Sequence, residues 1–410
     1  MRKSNARKHN SGWRIRQPIV IVMILALAWV IHSPVRQITY QDFVDKAKTK
    51  SATVTSNKVD DSLFPTLKRL NQTLLSTATN DTSNLWEKEL LERLDRIRER
   101  CGELCTISDR AALERYTVQP WNESSAFLRP LRVPLDCDTI MMDEELDKGD
   151  SSAPQLPPDV LMPFYTLHGL AEFDTSMYFN QTYLEGNAYT PVWSETMINE
   201  WIEKVRPAFQ RRPYKFSGYG VATTRFVRVL RNYITLTDKR VLVIGTENPW
   251  LEAAALILGA AEVVTLEYGK IISEHPRIST LTPAKIRELY RSKQLDLFDV
   301  VLTFSSLEHP GLGRYGDALN PWGDILAAAK AWCVTKPGGQ FGLGLPYNQD
   351  RIFFNAHRMY GPNRVPLMGA NWIQLEGSSP MPHILGTGHG AFFYQKPVDA
   401  NLSGVAANAE

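Results

Sequence analysis

Arg240-Val-Leu-Val-Ile-Gly245-Thr-Glu-Asn-Pro-Trp250 decides the fold. Val241 to Ile244 is a short apolar run ending on a glycine, the pattern of a parallel strand buried on both faces. Asn248 and Pro249 read as a helix N-cap and a proline at the first helical position. Trp250 to Leu258 is then predicted helical, and Gly259 closes it as a C-terminal cap. Strand, glycine turn and helix together form the opening unit of an α/β sheet.

The alternation continues downstream. Ala261 to Glu267 reads as a second strand, Ile278 to Leu281 as a weaker third, and Pro283 to Lys293 as a helix. Phe298-Asp-Val-Val-Leu-Thr-Phe304 is a strongly apolar strand. Trp322 to Val334 is helical, Lys336-Pro-Gly-Gly339 a turn, and Gln340 to Leu345 the next strand. Trp372 to Leu375 and Ala391 to Gln395 supply late strands. The pattern predicts an α/β fold with a doubly wound, Rossmann-like parallel sheet over residues 236–396, followed by a flexible tail, 397–410. Upstream, 156–235 reads as a helical extension. One of its helices starts at Thr190-Pro191 and runs towards Val205, and a second spans Tyr219 to Tyr233. Residues 36–155 read as a stem. Within it, Trp86, Leu90, Leu94 and Ile97 recur at helical spacing and mark an amphipathic helix over 85–100. There is no internal repeat.

In such sheets ligands bind at the carboxyl ends of the strands. Three strand ends carry candidate chemistry. Gly245 and Thr246 lead into a helix N-terminus, a geometry that lets a ligand approach the backbone. Glu267 and Tyr268 end the second strand, and an acid about 20 residues beyond the glycine is expected to accept from ribose hydroxyls. Ser305, Ser306, Leu307, Glu308 and His309 follow the strand ending at Phe304, ahead of a glycine-rich stretch from Gly311 to Asp317.

These residues resemble those of a class I S-adenosylmethionine-dependent methyltransferase. The matching pieces are Val-Leu-Val-Ile-Gly245, Glu267, Phe298-Asp299-Val-Val-Leu, Leu307-Glu-His309 and Lys336-Pro-Gly-Gly339. Ile-Gly-Thr-Glu-Asn-Pro-Trp250, Leu-Glu-Tyr268 and Gly-Leu-Gly-Arg-Tyr-Gly-Asp317 also look like an uncharacterised, nematode-rich family of membrane-anchored proteins known only as a domain of unknown function. The methyltransferase resemblance implies S-adenosylmethionine as cofactor. Gly245 and Thr246 would line its methionine part, Glu267 would hold the ribose, Tyr268 would lie beside the adenine, and Ser305 and Ser306 would sit near the sulfonium. Glu308 and His309 would face the acceptor. Two positions depart from the pattern. Glu247 replaces the usual second glycine, and Thr280-Leu-Thr282 stands where an acid often follows the third strand. Methyl transfer to a hydroxyl also needs a base, for which His309, Asp317 and His357 are candidates in that order. Arg314 and Arg358 could bind an acidic sugar or phosphate. The Gly386-Thr-Gly-His-Gly390 loop reads as a lid or as a tight turn.

The net charge of +2, from 46 basic and 44 acidic residues, argues against a nucleic-acid partner. That balance is uneven. The first 16 residues hold six basic residues and no acid, which leaves 40 against 44 elsewhere, or −4. Residues 1–16 therefore read as a cytosolic tail and 17–35, around the apolar run Ile19 to Ile31, as a signal anchor with the bulk of the chain in the lumen. A type II single-pass protein of the Golgi or endoplasmic reticulum follows. A cleaved signal at Ala26-Leu27-Ala28, giving a secreted protein, is the alternative. N-glycan acceptors are expected at Asn71, Asn80, Asn122, Asn180 and Asn401. Of four cysteines, Cys101, Cys105 and Cys137 are expected to contribute one disulfide, and Cys333 to be a buried thiol. No metal-ligand spacing is present. The resulting expectation is an O-methyltransferase acting on a glycan hydroxyl in the secretory pathway. A membrane-anchored, catalytically inactive binding or scaffold protein is the competing class. A nucleotide-sugar or nicotinamide enzyme is disfavoured by the missing G-x-G-x-x-G.

Overall fold

The structure, a computed structural model, describes residues 88–107, 109–142, 144, 156–179, 190–210, 214–246, 248–375, 383–386 and 388–398. The expected anchor at 17–35, Glu247, and the sequons at Asn71, Asn80, Asn180 and Asn401 lie outside these residues. Among the described residues no helix is long and apolar enough to cross a membrane.

Seven strands form the main sheet: β1 (Arg240–Ile244), β2 (Glu262–Leu266), β3 (Ile278–Leu281), β4 (Phe298–Phe304), β5 (Thr335–Pro346), β6 (Ile373–Gln374) and β7 (His389–Gln395). Their spatial order is β3-β2-β1-β4-β5-β7-β6, and a further strand, His383–Gly386, pairs with β7. From β1 the chain moves outward to β2 and β3, then returns to place β4 on the other side of β1. That reversal opens a crevice at the carboxyl ends of β1 and β4.

The sheet is mixed rather than parallel throughout. β1 to β5 pair in parallel, whereas β7 runs antiparallel to β5, to β6 and to His383–Gly386. The cause is local. Gly386 pairs with His389 across two residues, and Gly388 has φ of +72°. Such a tight connection can only reverse the chain, so the glycine-rich loop is a hairpin turn rather than a lid. The Lys336–Gly339 turn lies inside β5 as a bulge, because Phe298 pairs with Thr335 but Val300 pairs with Gln340. There Lys336 Nζ donates to Asp299 Oδ1 at 2.9 Å and the Arg240 amide to Asp299 Oδ2 at 2.9 Å. These groups clasp the amino ends of β1, β4 and β5, opposite the crevice.

Alternate strand residues feed two cores, one on each face. Leu242, Val264, Val301 and Phe341 enter the first, and Val241, Val243, Val300 and Leu302 the second. Helices α1 (Glu195–Val205), α2 (Val221–Tyr233) and α3 (Trp250–Ile257) cover the second face. Helices α4 (Pro283–Arg291) and α5 (Gly323–Val334) cover the first, together with residues 88–142. Leu90, Leu94 and Ile97 of the amphipathic helix are buried there, each contributing about 1.5–3 kcal/mol. A strand buried on both faces requires two helical layers, so residues assigned from sequence to a stem belong to the domain's core. α1 begins after Ser194, whose side chain accepts from the Met197 amide. Val192–Trp193, just after the proline expected to start it, instead pairs with Ile272–Ser273.

Two disulfides join this layer: Cys101–Cys105 and Cys137–Cys333. The first meets expectation. The second corrects the reading of Cys333 as a free thiol and ties the short helix Cys137–Met141 to α5 across 196 residues of chain.

Candidate functional site

A cavity of about 1170 Å³ opens at the crevice, at the carboxyl ends of β1, β2 and β4. Gly245, Thr246, Glu267, Tyr268, Ser305 and Ser306 all line it, as do His309, Arg314 and Asp317. Glu308, His357 and Arg358 do not.

Gly245 has φ of +70°, and a Cβ added to it would lie 1.7 Å from Ser306 Oγ. The space on the Cβ side of this glycine is therefore filled by Ser306. The Thr246 amide donates to Glu267 Oε2 at 2.9 Å and the Tyr268 amide to Oε1 at 2.8 Å. Each carboxylate oxygen has a second lone pair, so Glu267 can still accept from a ribose hydroxyl. Ile244 and Leu266 at the strand ends, with Pro283 and Ile286 of α4, supply an apolar wall. These residues fit the adenosine end of S-adenosylmethionine. Thr282, in place of the acid often found there, instead caps α4 by accepting from the Lys285 amide.

Ser305 sits just beyond β4 with φ of +51°, uncommon for a residue with a side chain. Its hydroxyl donates to Glu308 Oε1 at 2.5 Å, and His389 Nε2 lies 3.3 Å from Ser305 Oγ. Glu308 is buried, and its Oε2 has no hydrogen-bond partner among the described residues. Burial pushes its carboxyl up to about 7, against the hydrogen bond from Ser305. The motif residue expected to face the acceptor thus lies behind Ser305 and reaches the cavity only through that hydroxyl.

His309 keeps 16% of its side chain exposed on the cavity. Its Nδ1 lies 2.8 Å from the Ala356 carbonyl, which makes Nδ1 the protonated nitrogen and leaves Nε2 a lone pair, 3.6 Å from Glu308 Oε1. Burial, and secondarily Arg314, press its pKa down to about 3. A ring so reluctant to accept a proton is poorly matched to base catalysis at neutral pH.

Asp317 is turned onto its own loop. It accepts from the amides of Gly311 at 2.6 Å, Gly313 at 3.3 Å and Tyr315 at 3.2 Å, and it shapes the glycine-rich stretch. Burial nevertheless raises its carboxyl. His357 packs its ring on Phe353 at 5.0 Å, away from the cavity. Arg358 is fully buried. Its guanidinium donates to the carbonyls of Glu308, Pro310 and Asn320 and lies 3.5 Å from Asp324. It braces the 308–321 loop from within and has no access to a substrate. Arg314 does reach the cavity, donating to Ala356 O at 3.1 Å with its guanidinium 4.3 Å from the Phe179 ring.

Three contributors escape a motif reading. His389 lies in the hairpin read as a lid or turn, but only the pairing of β7 with β5 brings it against Ser305. Glu252 on α3 is buried beneath Thr265 Oγ1, which donates to it at 2.8 Å, and burial pushes its carboxyl up to about 7. Lys204, Lys215, Arg287 and Lys330 come to the cavity from four separate segments. None carries a local sequence signal.

No curated protein matches the sequence. Among solved structures, an S-adenosylmethionine-dependent methyltransferase from Mesorhizobium loti is 13% identical with a TM-score of 0.30, covering 43% of this chain and 99% of that one. A protein from Streptococcus thermophilus described as a hemolysin is 12% identical with a TM-score of 0.29, covering 46% of this chain and 69% of that one. One from Pyrococcus horikoshii described as an RNA methyltransferase is 12% identical with a TM-score of 0.28, covering 49% and 98%. Residues 238–385 of this chain, from β1 to the strand before β7, match the model of the family described as Caenorhabditis protein of unknown function, DUF268.

Proposed function

We propose that the protein is an S-adenosylmethionine-dependent O-methyltransferase of the secretory-pathway lumen that acts on a glycan hydroxyl. The observation that carries this reading is the pairing, in one cavity at the switch point, of Glu267 at a ribose position with a proton route from Ser305 to Glu308. When bound, the cofactor supplies an activated methyl group. Glu267, with the apolar wall formed by Leu266, Pro283 and Ile286, would hold its adenosine. Ser305 Oγ takes the acceptor's hydroxyl proton while passing its own to Glu308 Oε1. A carboxyl raised to about 7 is suited to that exchange near neutral pH. His309 stays neutral and positions the loop through Ala356. Positioned proton transfer of this kind contributes about 10²–10⁴-fold. Two buried disulfides support an oxidising compartment, as does an exposed Asn122 within its sequon. The basic, then apolar N-terminus supports membrane anchoring with this side in the lumen.

A binding module that kept the fold without the chemistry is the second reading. It is favoured by Ser306 filling the space on the Cβ side of Gly245 and by both Glu267 oxygens accepting backbone amides. One titration separates the two. The full-length chain, purified from a secretory host, should bind S-adenosylhomocysteine in a calorimeter, and Glu267→Ala should lose that binding. No heat at millimolar ligand sinks the methyltransferase reading.

A further inference from the structure

The cavity is charged out of proportion to the chain. Lys204, Lys215, Arg287, Arg314 and Lys330 line it. Against these five cations stand two carboxylates, Glu267 and Asp317, whose oxygens already accept backbone amides. His309 adds no charge, since its pKa is pressed to about 3. A protein of net charge +2 thus places more cations than carboxylates around one cavity, even with Arg287 Nε 3.7 Å from Glu144 Oε1. The cations come from α1, the segment before α2, α4, the glycine-rich loop and α5, so no single basic helix face accounts for them.

This excess is at odds with the donor alone. S-adenosylmethionine carries a sulfonium and an ammonium against a single carboxylate, so its one carboxylate can meet one of these cations but not the group of them. A cleft with low-dielectric walls also focuses its field on the ligand and raises the encounter rate of an anion. The volume of about 1170 Å³ exceeds the usual size of a single-ligand pocket and leaves room for a second molecule. Lys204 and Lys215 are exposed and lie at the mouth, with Lys204 Nζ 4.0 Å from the Trp201 ring. Arg314 lies deeper, beside His309.

We infer that the acceptor is an anion: a sugar, or a molecule bearing one, that carries a carboxylate or phosphate group. That group docks against Lys204, Lys215 and Arg314 while a neighbouring hydroxyl meets Ser305. The inference rests on the methyltransferase reading only for the hydroxyl, since the anion site itself requires no cofactor.

The test uses the full-length protein and three probes of similar size: glucuronate, glucose 6-phosphate and glucose. Binding is read by ligand-observed NMR at low and at high salt, and S-adenosylhomocysteine is titrated separately. The expected result is that one or both anions bind, glucose does not, and salt weakens binding. Which anion binds more tightly distinguishes carboxylate from phosphate. Lys204→Gln/Lys215→Gln should weaken the anion about tenfold while leaving S-adenosylhomocysteine affinity unchanged. If the three sugars bind alike, or none binds while S-adenosylhomocysteine does, the anion inference is overturned and the methyltransferase reading stands. If the anions bind in a salt-dependent way and S-adenosylhomocysteine does not, the anion site stands and the methyltransferase reading falls.

Discussion

Replacing Gly245 by alanine asks what this glycine is for. In a nucleotide-binding turn it would keep the backbone open to the ligand. In this structure a Cβ at Gly245 would lie 1.7 Å from Ser306 Oγ and 2.5 Å from Ser306 Cβ. Two costs follow. The φ of +70° places alanine in the left-handed region, at about 1–2 kcal/mol. Forcing a methyl group against Ser306 adds about 1–3 kcal/mol. Gly245→Ala should therefore lose about 2–5 kcal/mol of stability in urea denaturation followed by tryptophan fluorescence. Ser306→Gly removes both clashing atoms, so in the double variant the steric part disappears and the backbone strain remains. The double-mutant cycle should report a coupling of about 1–3 kcal/mol in the favourable direction. S-adenosylhomocysteine binding, if present in the wild type, should return in the double variant as the turn regains its shape. A coupling near zero would refute the packing role. So would a Gly245→Ala protein of wild-type stability that has lost its ligand, since the glycine would then serve ligand approach alone.

Four further outcomes are expected. Burial raises the Glu252 carboxyl from 4.5 to about 7, so the folded state keeps a proton that the unfolded chain loses. The associated stability is present below about pH 4.5 and is lost as pH rises through 7, an effect on the order of 3 kcal/mol. Glu252→Gln should therefore gain on the wild type between about pH 5 and 9 in urea midpoints, and a pH-independent gap would disprove the burial argument. His309 has the opposite sign. Its pKa of about 3 in the fold makes it a source of stability that is present above 6.5 and lost on acidification, so His309→Gln should flatten the acid limb of the same curve. Removing the Cys137–Cys333 bridge as a double alanine variant frees a loop of 196 residues and should cost about 2–5 kcal/mol, read as a lowered thermal midpoint. Arg358→Met leaves Asp324 paired with Arg364 but uncaps the carbonyls of the 308–321 loop. It should cost about 3–5 kcal/mol in the same denaturation assay, and a neutral result would contradict the bracing role.

The parts of this architecture legible in the sequence are those with a local cause. An apolar run bounded by glycine must be a buried strand, and β1, β2 and β4 lie within a residue of where their hydrophobic runs place them. Strand ends also follow, so Gly245, Glu267 and Ser305 could be assigned to one rim without coordinates. What could not be read depends on contacts across the chain. The antiparallel course of β7 in the sheet needs its pairing with β5, and the partner of Cys333 lies 196 residues away. Neither the sequence pattern nor the reference pKa of histidine reveals that His309 is packed until its proton is expelled. Arg358 shows the same limit. An arginine beside a candidate site suggests an anion, but this one is spent on four carbonyls and a buried carboxylate.

These long-range facts also divide the motif residues by purpose. Asp299 and Lys336, matched pieces of a methyltransferase-like pattern, lie at the amino ends of the strands and clasp them together. Glu267 and Ser305 lie at the carboxyl ends, where the strand order reverses and a cavity exists. A motif match weighs Asp299, Lys336 and Glu267 alike, although of these only Glu267 lines the cavity. Loss of the clasp should weaken the sheet and every activity with it, whereas loss of Glu267 or Ser305 should leave the fold intact and remove one step. Within the carboxyl-end group, burial sets Glu308 apart from its neighbour His309. Both follow β4, both are packed, and burial acts on each by favouring the neutral form. For a histidine that removes basicity at neutral pH. For a carboxyl it brings the proton affinity to the working range, and the Ser305 hydroxyl provides the connection to the cavity.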